Sequence, residues 1–385
     1  ASATHGLPWK CTISAAGLFT ATSSVPGTWT YTVTATDGPV SGTAAVTVPG
    51  GGWRMYIGFP GYTGRAETLT NFPALVVFSN DFNGCGFDYG SSLSTNGYDL
   101  RFTDASGLTN LSYEIESWDP AGASYVWVRV PTLPSDGSGC IWANWGDTAN
   151  SNQMPCTTNG STWLGYQLVE HFSSTGGTSV ADSSPLRRTA IVNATAYSWQ
   201  NPGPAGRSLR LFGSINDVVD LGTINNVSLA GGLWTASAWF KNLQGPSNYR
   251  TLFRGDANDH QVIVQNGGTA LGSYDNAGGT AFRQCGSATL SPADGAWHQV
   301  VAVGTGSVTR MYVDGVDQGT VGCKSGTDIR AIGNYQGGFQ KFAEYLDEVR
   351  ISTVGRSADW VWAEYMTVAS PGAFQLLLDT TRDFA

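Results

Sequence analysis

Apolar and polar residues alternate from residue 28 to residue 36, which predicts a strand with one apolar face and one threonine-rich face. The apolar face carries Trp29, Tyr31, Val33 and Ala35. The alternation returns over residues 44–48, and the intervening "DGPVSG" supplies turn residues. The two segments are therefore predicted to pair as a hairpin.

Short strands are predicted through most of the remaining chain. Residues 53–148 contain "WRMYIGF", "ALVVFS", "DLRFTD", "LSYEIESWD", "YVWVRVP" and "CIWANWGD", and similar segments follow from residue 163 to residue 368. The one convincing helix is "SADWVWAEYM" at 357–366, which begins at a serine and carries Trp360 toward the sandwich. A glycine-rich segment at 49–53 and a polar linker at 146–162 separate the chain into three blocks. The predicted fold class is all-β, with three tandem β-sandwich units.

The composition agrees with that class and excludes several partners. The chain has 50 glycines among 385 residues, and only 13% of the residues are charged. The net charge is −9, so the surface lacks the excess of cations that nucleic acid or an anionic membrane requires. No run of about 18 apolar residues is present, so we expect no membrane insertion.

Six cysteines are spread through the sequence, without a CxxC pair or a nearby histidine. This spacing argues against zinc and favours up to three disulfides in an oxidising compartment, so a secreted or cell-surface location is predicted. Six cysteines allow fifteen pairings, and the best candidate is Cys285 with Cys323, which flank a predicted hairpin.

Three segments resemble known bacterial families. The text "GLFTA", "PGTWTYTVTATDG" and "SGTAAVTV" resembles the C-terminal half of bacterial immunoglobulin-like repeats. The segments "YDLRFTDASGLTNLSYEIESWDP", "ASYVWVRVP" and "IWANWGD" resemble the bacterial extracellular domain of unknown function 2341 (DUF2341). The segments "LWTASAWFK", "DGAWHQVVAV", "TRMYVDGVDQGTV" and "YLDEVRIS" resemble the concanavalin A-like laminin-G jelly roll.

These resemblances divide the chain into a partial immunoglobulin-like domain at 1–49, a DUF2341-like β-sandwich at 52–148, a laminin-G-like jelly roll at 160–370 and a C-terminal tail at 371–385. The DUF2341 resemblance implies a sandwich but no chemistry. The jelly-roll resemblance implies a structural Ca²⁺ ion, with Asp182 in "ADSSP" and Asp347 in "LDEVRI" at the two ligand positions. The family's usual glycine is Pro185 here, which counts against that loop as a calcium ligand.

Catalysis is disfavoured. Glu114 and Glu116 alternate on one strand and share a face, as a general acid and base would need. Two side chains on one strand do not face each other across a cleft, however, so a solvated strand face is the favoured interpretation. His298 in "WHQV" is expected to be structural, and the sequence has no GxSxG or HExxH motif. We therefore expect no enzyme activity.

Sugar binding is one function open to such a fold, because aromatic rings can stack on the apolar faces of sugars. Most of the fourteen tryptophans occupy positions that the fold explains. Tyr197, Trp199 and Tyr335 lie in segments that are predicted to be loops, and they are the better candidates for a ligand-binding role.

Structural assembly is the other function, and the sequence favours it. An incomplete immunoglobulin-like sandwich exposes strand edges, which copies of the chain or other surface proteins could complete. The apolar segment in "AFQLLLDTTRDFA" at 373–385 is the predicted donor strand, and such head-to-tail contacts form filaments. A truncated surface module is the plainer explanation. The predicted function is a non-enzymatic structural protein of a bacterial surface appendage, filament or envelope layer, with a glycan-binding surface adhesin as the alternative.

Overall fold

The structure is a computed structural model of the chain. It describes the backbone of residues 9–382 except 14–18, 24–27, 38–39, 50–51, 257–258, 277–280, 291–293 and 323–326. Side chains are described within residues 52–378, outside those gaps and residue 149.

Two antiparallel hairpins form the N-terminal block. The first pairs β1 (Trp9–Ile13) with β2 (Phe19–Ser23), and the second pairs β3 (Thr28–Asp37) with β4 (Val40–Pro49). The register of the second hairpin places Tyr31 opposite Val46, so the apolar positions of the two strands share a face. The resemblance of this block to immunoglobulin-like repeats stays a prediction.

Residues 53–145, which we call the middle domain, form a sandwich of two antiparallel sheets. Its strands are β5 (Trp53–Gly58), β6 (Leu69–Ser79), β7 (Arg101–Thr103), β8 (Tyr113–Ser117), β9 (Ala123–Leu133) and β10 (Cys140–Trp145). Strands β6, β9 and β8 form one sheet, while β5, β10 and β7 belong to the other. Short 3₁₀ turns lie at Pro60–Tyr62, Tyr89–Ser91, Thr148–Asn150, Pro155–Thr157 and Ser161–Trp163.

Residues 166–352, which we call the C-terminal domain, form a larger antiparallel sandwich. Its strands are β11 (Tyr166–Glu170), β12 (Ser179–Ala181), β13 (Thr189–Asn193), β14 (Tyr197–Pro202), β15 (Arg207–Leu211), β16 (Val218–Asp220), β17 (Val227–Ser228), β18 (Leu233–Leu243), β19 (Arg250–Arg254), β20 (His260–Val264), β21 (Ala270–Asp275), β22 (Ala281–Thr289), β23 (Trp297–Thr305), β24 (Thr309–Val313), β25 (Val316–Val321), β26 (Asp328–Ile329), β27 (Ala331–Ile332) and β28 (Ala343–Ser352). Two helices, α1 (Ala358–Ala369) and α2 (Pro371–Phe374), and strand β29 (Leu376–Arg382) follow.

The C-terminal domain has an inner sheet and an outer sheet with a buried apolar core between them. The inner sheet has the order β14-β15-β28-β18-β23-β24-β25, with β11 also paired to β28. The outer sheet has the order β12-β13-β16-β27-β19-β20-β21-β22. This arrangement confirms the predicted all-β fold class with sandwich units.

Helix α1 connects the two domains. Ser357 caps it by accepting a hydrogen bond from the amide of Trp360. Trp360 packs edge-on against Phe72 of the middle domain, with ring centroids 5.2 Å apart, and Asp359 accepts a hydrogen bond from the backbone N–H of Ala66. The opposite side of the helix covers the inner sheet, where Val361 packs into an apolar cluster with residues of β23 and β24. The helix therefore fills the space between the sandwiches.

The C-terminal tail returns to the middle domain. Strand β29 pairs antiparallel with β5, and Leu377 lies opposite Ile57 in that register. The middle domain's second sheet therefore has the order β29-β5-β10-β7. The segment predicted as a donor strand for another chain is an edge strand of its own chain, because β5 offers it an unpaired edge next to the last helix.

No disulfide is found in the described part of the chain, where Cys140 and Cys156 are free thiols. Cys323 lies outside the described residues, so the pairing of Cys285 with Cys323 stays a prediction. The sulfur of Cys285 is 4.0 Å from the carbonyl oxygen of Gln318, at the edge where β22 approaches β25.

None of the helices within the described ranges combines the length and the apolar character that crossing a membrane requires.

Strand β29 allows a direct test of the tail's role in stability. Leu377 is 5% exposed, whereas its neighbour Leu378 is 47% exposed. We expect Leu377→Ala to lower the free energy of unfolding by about 2–4 kcal/mol, because it leaves a cavity in the core of the middle domain. The matched control Leu378→Ala should change it by less than about 0.5 kcal/mol. Urea denaturation of both variants measures the difference, and equal losses would contradict the in-chain pairing.

Candidate functional site

The outer sheet carries a row of side chains that its register aligns across seven strands. The row runs through successive cross-strand partners, which are Ile191, Asp220, Ala331, Arg254, His260, Tyr274 and Phe282. The adjacent row belongs to the apolar core and runs through Val192, Val219, Ile332, Phe253 and Val262. Since neighbouring residues on a strand point to opposite faces, the first row lies on the face directed away from the core.

Five rings on this face form a continuous series, which we call the aromatic row: Tyr335, His260, Tyr274, Tyr249 and Phe282. Successive ring centroids are 6.3, 5.9, 5.6 and 6.3 Å apart. The four Tyr and Phe rings are half-buried, and none belongs to an apolar core cluster. The row therefore lies outside the apolar cores, with part of its ring surface exposed.

A β-bulge positions His260. The register shifts between the Phe253 and Arg254 pairs, so Gln261 is the extra residue that turns His260 to the outer face. There the Nδ1 atom of His260 is 2.9 Å from the hydroxyl oxygen of Thr251.

Charge and burial keep His260 neutral. Burial, together with the neighbouring Arg254 guanidinium, lowers the pKa of His260 to about 3. The same guanidinium lies 4.7 Å from the centroid of the Tyr335 ring, in a cation–π contact. The row thus ends beside a cation, and its second ring is an uncharged imidazole.

A groove of about 490 Å³ opens at the other end of the same face. Ile191 and Asp220, two members of the cross-strand series, line it together with Asn193 and Asn225. Arg330 lies beside it and pairs with Asp220, with Nε 3.0 Å from Oδ1. The outer face therefore combines an aromatic half with a polar, grooved half.

The three predicted ligand-binding aromatics do not lie together. Tyr335 belongs to the aromatic row, as described above. Tyr197 and Trp199 lie on β14, at the edge of the inner sheet, and pack against the core. Both donate hydrogen bonds to the carbonyl oxygen of Gly177, from the Tyr197 hydroxyl (3.1 Å) and the Trp199 indole N–H (2.9 Å). Their polar atoms thus bind the loop that contains Gly177.

A second cluster of functional groups lies between the two domains, and it corrects the interpretation of Glu114 and Glu116. Both side chains leave the middle domain on β8 and meet the inner sheet of the C-terminal domain. Glu116 has a fully buried side chain and accepts a hydrogen bond from the Trp127 indole N–H (2.6 Å). Glu114 accepts hydrogen bonds from Trp163 and Ser183. The prediction of a solvated strand face at Glu114 and Glu116 is therefore wrong, because a second domain covers that face.

Backbone irregularities direct the acidic side chains to this interface. Leu346 and Val349 of β28 both face the core although they are three residues apart, because Glu348 forms a bulge with a positive φ of 48°. Asp347 and Glu348 consequently both point toward the middle domain. On β8 the register shifts between Ile115 and Ser117, so Glu116 is also an extra residue.

His171 and Arg350 lie among these carboxylates. The Nδ1 atom of His171 is 2.6 Å from Oε1 of Glu348, and Arg350 donates a hydrogen bond to the other oxygen of Glu348. Burial alone would lower the pKa of His171, but the carboxylates of Glu348 and Glu116 outweigh it and raise that pKa well above its usual value. Burial, reinforced by Glu348, raises the pKa of Glu116 well above its usual value.

The residues predicted to bind calcium have separate surroundings. The carboxylate of Asp182 accepts four hydrogen bonds, from the backbone N–H groups of Val169, Ser184 and Arg188 and from the Ser184 hydroxyl. These donors use about all the lone pairs that a carboxylate offers. Asp347 lies in the interdomain cluster, where its Oδ1 accepts from the amide of Glu348. The calcium site stays a prediction, and it would require Asp182 to release bonds of its own loop.

His298 lies apart from both clusters, on β23 at the surface. Its Nδ1 is 2.7 Å from Asp314 and its Nε2 is 2.9 Å from Asp294, so the side chain joins two loops.

Comparison with known families agrees with this architecture. Residues 213–361 match the family described as the concanavalin A-like lectin/glucanases superfamily, and residues 96–186 match the domain of unknown function DUF2341. The chain therefore contains a segment that matches the DUF2341 model, followed by a segment that matches the concanavalin A-like model. The predicted order of the two domains is therefore confirmed. The DUF2341 match extends across the linker to the first jelly-roll strands, so it includes both Glu116 and His171 of the interdomain cluster.

Several solved structures resemble the chain at low identity. A Trypanosoma rangeli sialidase in complex with sialic acid has 12% identity and a TM-score of 0.41, covering 66% of this chain. The chain spans 41% of that sialidase. Domain 4 of AbnA, an extracellular arabinanase from Geobacillus stearothermophilus, in complex with arabinotriose, has 17% identity and a TM-score of 0.39, covering 51% of this chain and 96% of that one. No curated protein matches the chain in sequence.

The buried neutral His260 of the jelly roll predicts an acid-dependent loss of stability. Below pH 6.5 the unfolded chain protonates this histidine, whereas the folded chain resists protonation down to a pKa of about 3. Stability should fall as pH falls from 6.5 to 5, with a contribution of up to about 1.4 kcal/mol per pH unit. Denaturant unfolding at several pH values should show a shallower slope for His260→Gln. Identical slopes for the variant and the parent protein would show that His260 is not buried in the neutral form.

Proposed function

We propose that the chain binds glycans on the outer sheet of its jelly roll, through the aromatic row. The observation that carries this proposal is the alignment of the half-buried rings of Tyr335, Tyr274 and Phe282 with that of Tyr249 on the outer sheet. The concanavalin A-like family match supports the same conclusion, since that family is described by its lectins and glucanases.

The chemistry of the face suits a sugar chain. Half-buried rings offer flat apolar surfaces at a low entropic cost, because the fold already fixes their orientation. Polar groups lie beside them, including the amide of Gln336, which accepts a hydrogen bond from Arg254. Ligand sites commonly combine apolar surface with a few fixed polar groups, which set orientation and specificity.

The proposal is for binding alone and not for catalysis. Glu114 and Glu116, the paired carboxylates singled out in the sequence, are enclosed between the domains rather than exposed in a cleft. A glycan ligand also agrees with a secreted or cell-surface location, which we propose on this ground.

The assembly function has less support than glycan binding. The assembly function requires the C-terminal tail to donate a strand to another chain. In the structure, that tail pairs with β5 of its own chain. The family match also favours the adhesin alternative over the filament.

Alanine substitution in the aromatic row tests the proposal. A glycan microarray identifies ligands, and affinity gel electrophoresis with the matching polysaccharides gives affinities. We expect Tyr335→Ala and Tyr249→Ala each to weaken binding by about tenfold or more, because a central aromatic contact contributes more than about 1 kcal/mol. Tyr335→Phe should retain most of the affinity, since it keeps the ring.

The matched control is Tyr98→Ala, because Tyr98 is 38% exposed and lies in the middle domain. It should bind like the parent protein. Full binding by both alanine variants of the row, or no glycan bound by the parent protein, would contradict the proposal.

A further inference from the structure

The buried interdomain cluster contains more acidic than basic groups. Four carboxylates converge there, and His171 and Arg350 are the cations among them. The four are Glu114, Glu116, Asp347 and Glu348. Buried carboxylates are costly unless cations compensate them. The cluster therefore has the electrostatic character of a cation site.

Three of these side chains have the geometry of a metal site. The ligand atoms of Glu116, His171 and Glu348 all lie within 4.8 Å of one another. The Nδ1 atom of His171 is 2.6 Å from Glu348 Oε1 and 3.6 Å from Glu116 Oε2. Ligands around a tetrahedral zinc ion, each bound at about 2.0–2.2 Å, are separated by roughly 3.3–3.6 Å. Small side-chain shifts would bring the three groups to those separations.

Outer groups fix the orientation of each of the three. Trp127 donates a hydrogen bond to Glu116, and Arg350 donates one to Glu348. The Nε2 atom of His171 faces Glu114 Oε2 at 3.8 Å. A carboxylate behind the distal ring nitrogen is a common partner of a metal-binding histidine, because it orients the ring and increases its basicity.

Polar atoms without partners give a second, independent indication. Oε1 of Glu116, Oδ2 of Asp347 and Nε2 of His171 have no hydrogen-bond partner, although Asp347 is 0% exposed and His171 is 4% exposed. Buried polar atoms in native proteins are nearly always paired, so unpaired ones require an explanation. A cation bound by Glu116 supplies it for Oε1 of that residue.

The loop between β14 and β15 encloses these atoms. A Cβ atom at Gly203 would come within 2.2 Å of Oδ2 of Asp347, and one at Gly206 within 2.6 Å of Oε1 of Glu116. Only glycine allows the backbone this close, so the loop shields the cluster from solvent.

We propose that Glu116, His171 and Glu348 bind a divalent transition-metal ion of the zinc type, which links the middle domain to the C-terminal domain. Glu116 comes from the first domain, whereas His171 and Glu348 come from the second. One nitrogen and two carboxylate ligands suit zinc better than calcium, which prefers oxygen ligands alone. The site is thus distinct from the calcium position predicted at Asp182 and Asp347, and it is independent of glycan binding.

Zinc itself is the probe. Isothermal titration of ZnCl₂ into the chelator-treated full chain should show one tight site per chain, and saturating zinc should raise the melting temperature. Glu116→Gln and His171→Gln should each weaken that site by about 100-fold or more, because each loses a direct ligand. The matched control is His298→Gln, since the half-buried His298 also contacts two carboxylates, those of Asp294 and Asp314, but lies outside the cluster. It should leave the tight site unchanged.

Absence of a tight site in the parent protein would overturn the proposal, as would a site lost in His298→Gln and kept in Glu116→Gln. If circular dichroism shows that either interface variant does not fold, crystals of the parent protein replace the variants. Anomalous scattering at the zinc edge then shows whether zinc binds between the three ligands. A peak between the three ligands supports the site. A map with no peak there overturns it.

Discussion

Burial of the outer face of the β6-β9-β8 sheet against the inner sheet of the jelly roll determines how the rest of the molecule is arranged. That face carries Trp127 and the two glutamates of β8, and it meets the bulged strand β28 and the start of β11. Helix α1 fills the remaining space, and β29 then completes the middle sandwich. Because the inner sheet is used for docking, the outer sheet is the face of the jelly roll that lies away from the middle domain.

The interface is unusual because much of its centre is charged. Arg350 is 2% exposed and lies between two tryptophan rings, 4.2 Å from the centroid of Trp127 and 4.8 Å from that of Trp163. Removing one partner from such a network leaves an uncompensated buried charge, which destabilises far more than the loss of a surface ion pair. The geometry therefore specifies one docking orientation, since few other arrangements would pair these groups.

The sequence predicted the strands, the two family resemblances and helix α1 well, because alternation and spaced motifs are local signals. It did not predict what covers Glu114 and Glu116: alternation shows that two side chains share a face but not what lies opposite. The bulge at Glu348 was equally hidden, since a positive φ at a glutamate leaves no mark in the sequence. The aromatic row was missed except for Tyr335, because its members come from separate strands and only the sheet register aligns them.

The central claim is that the middle domain and the jelly roll are one structural unit joined at a buried charged interface. Hydrogen exchange of the full chain at increasing denaturant, followed by mass spectrometry, tests it most directly. The account predicts that peptides from β8 and from β28 open with the same free energy, because neither strand can leave the interface alone. Exchange of β8 at a clearly lower free energy, with β28 still protected, would contradict it.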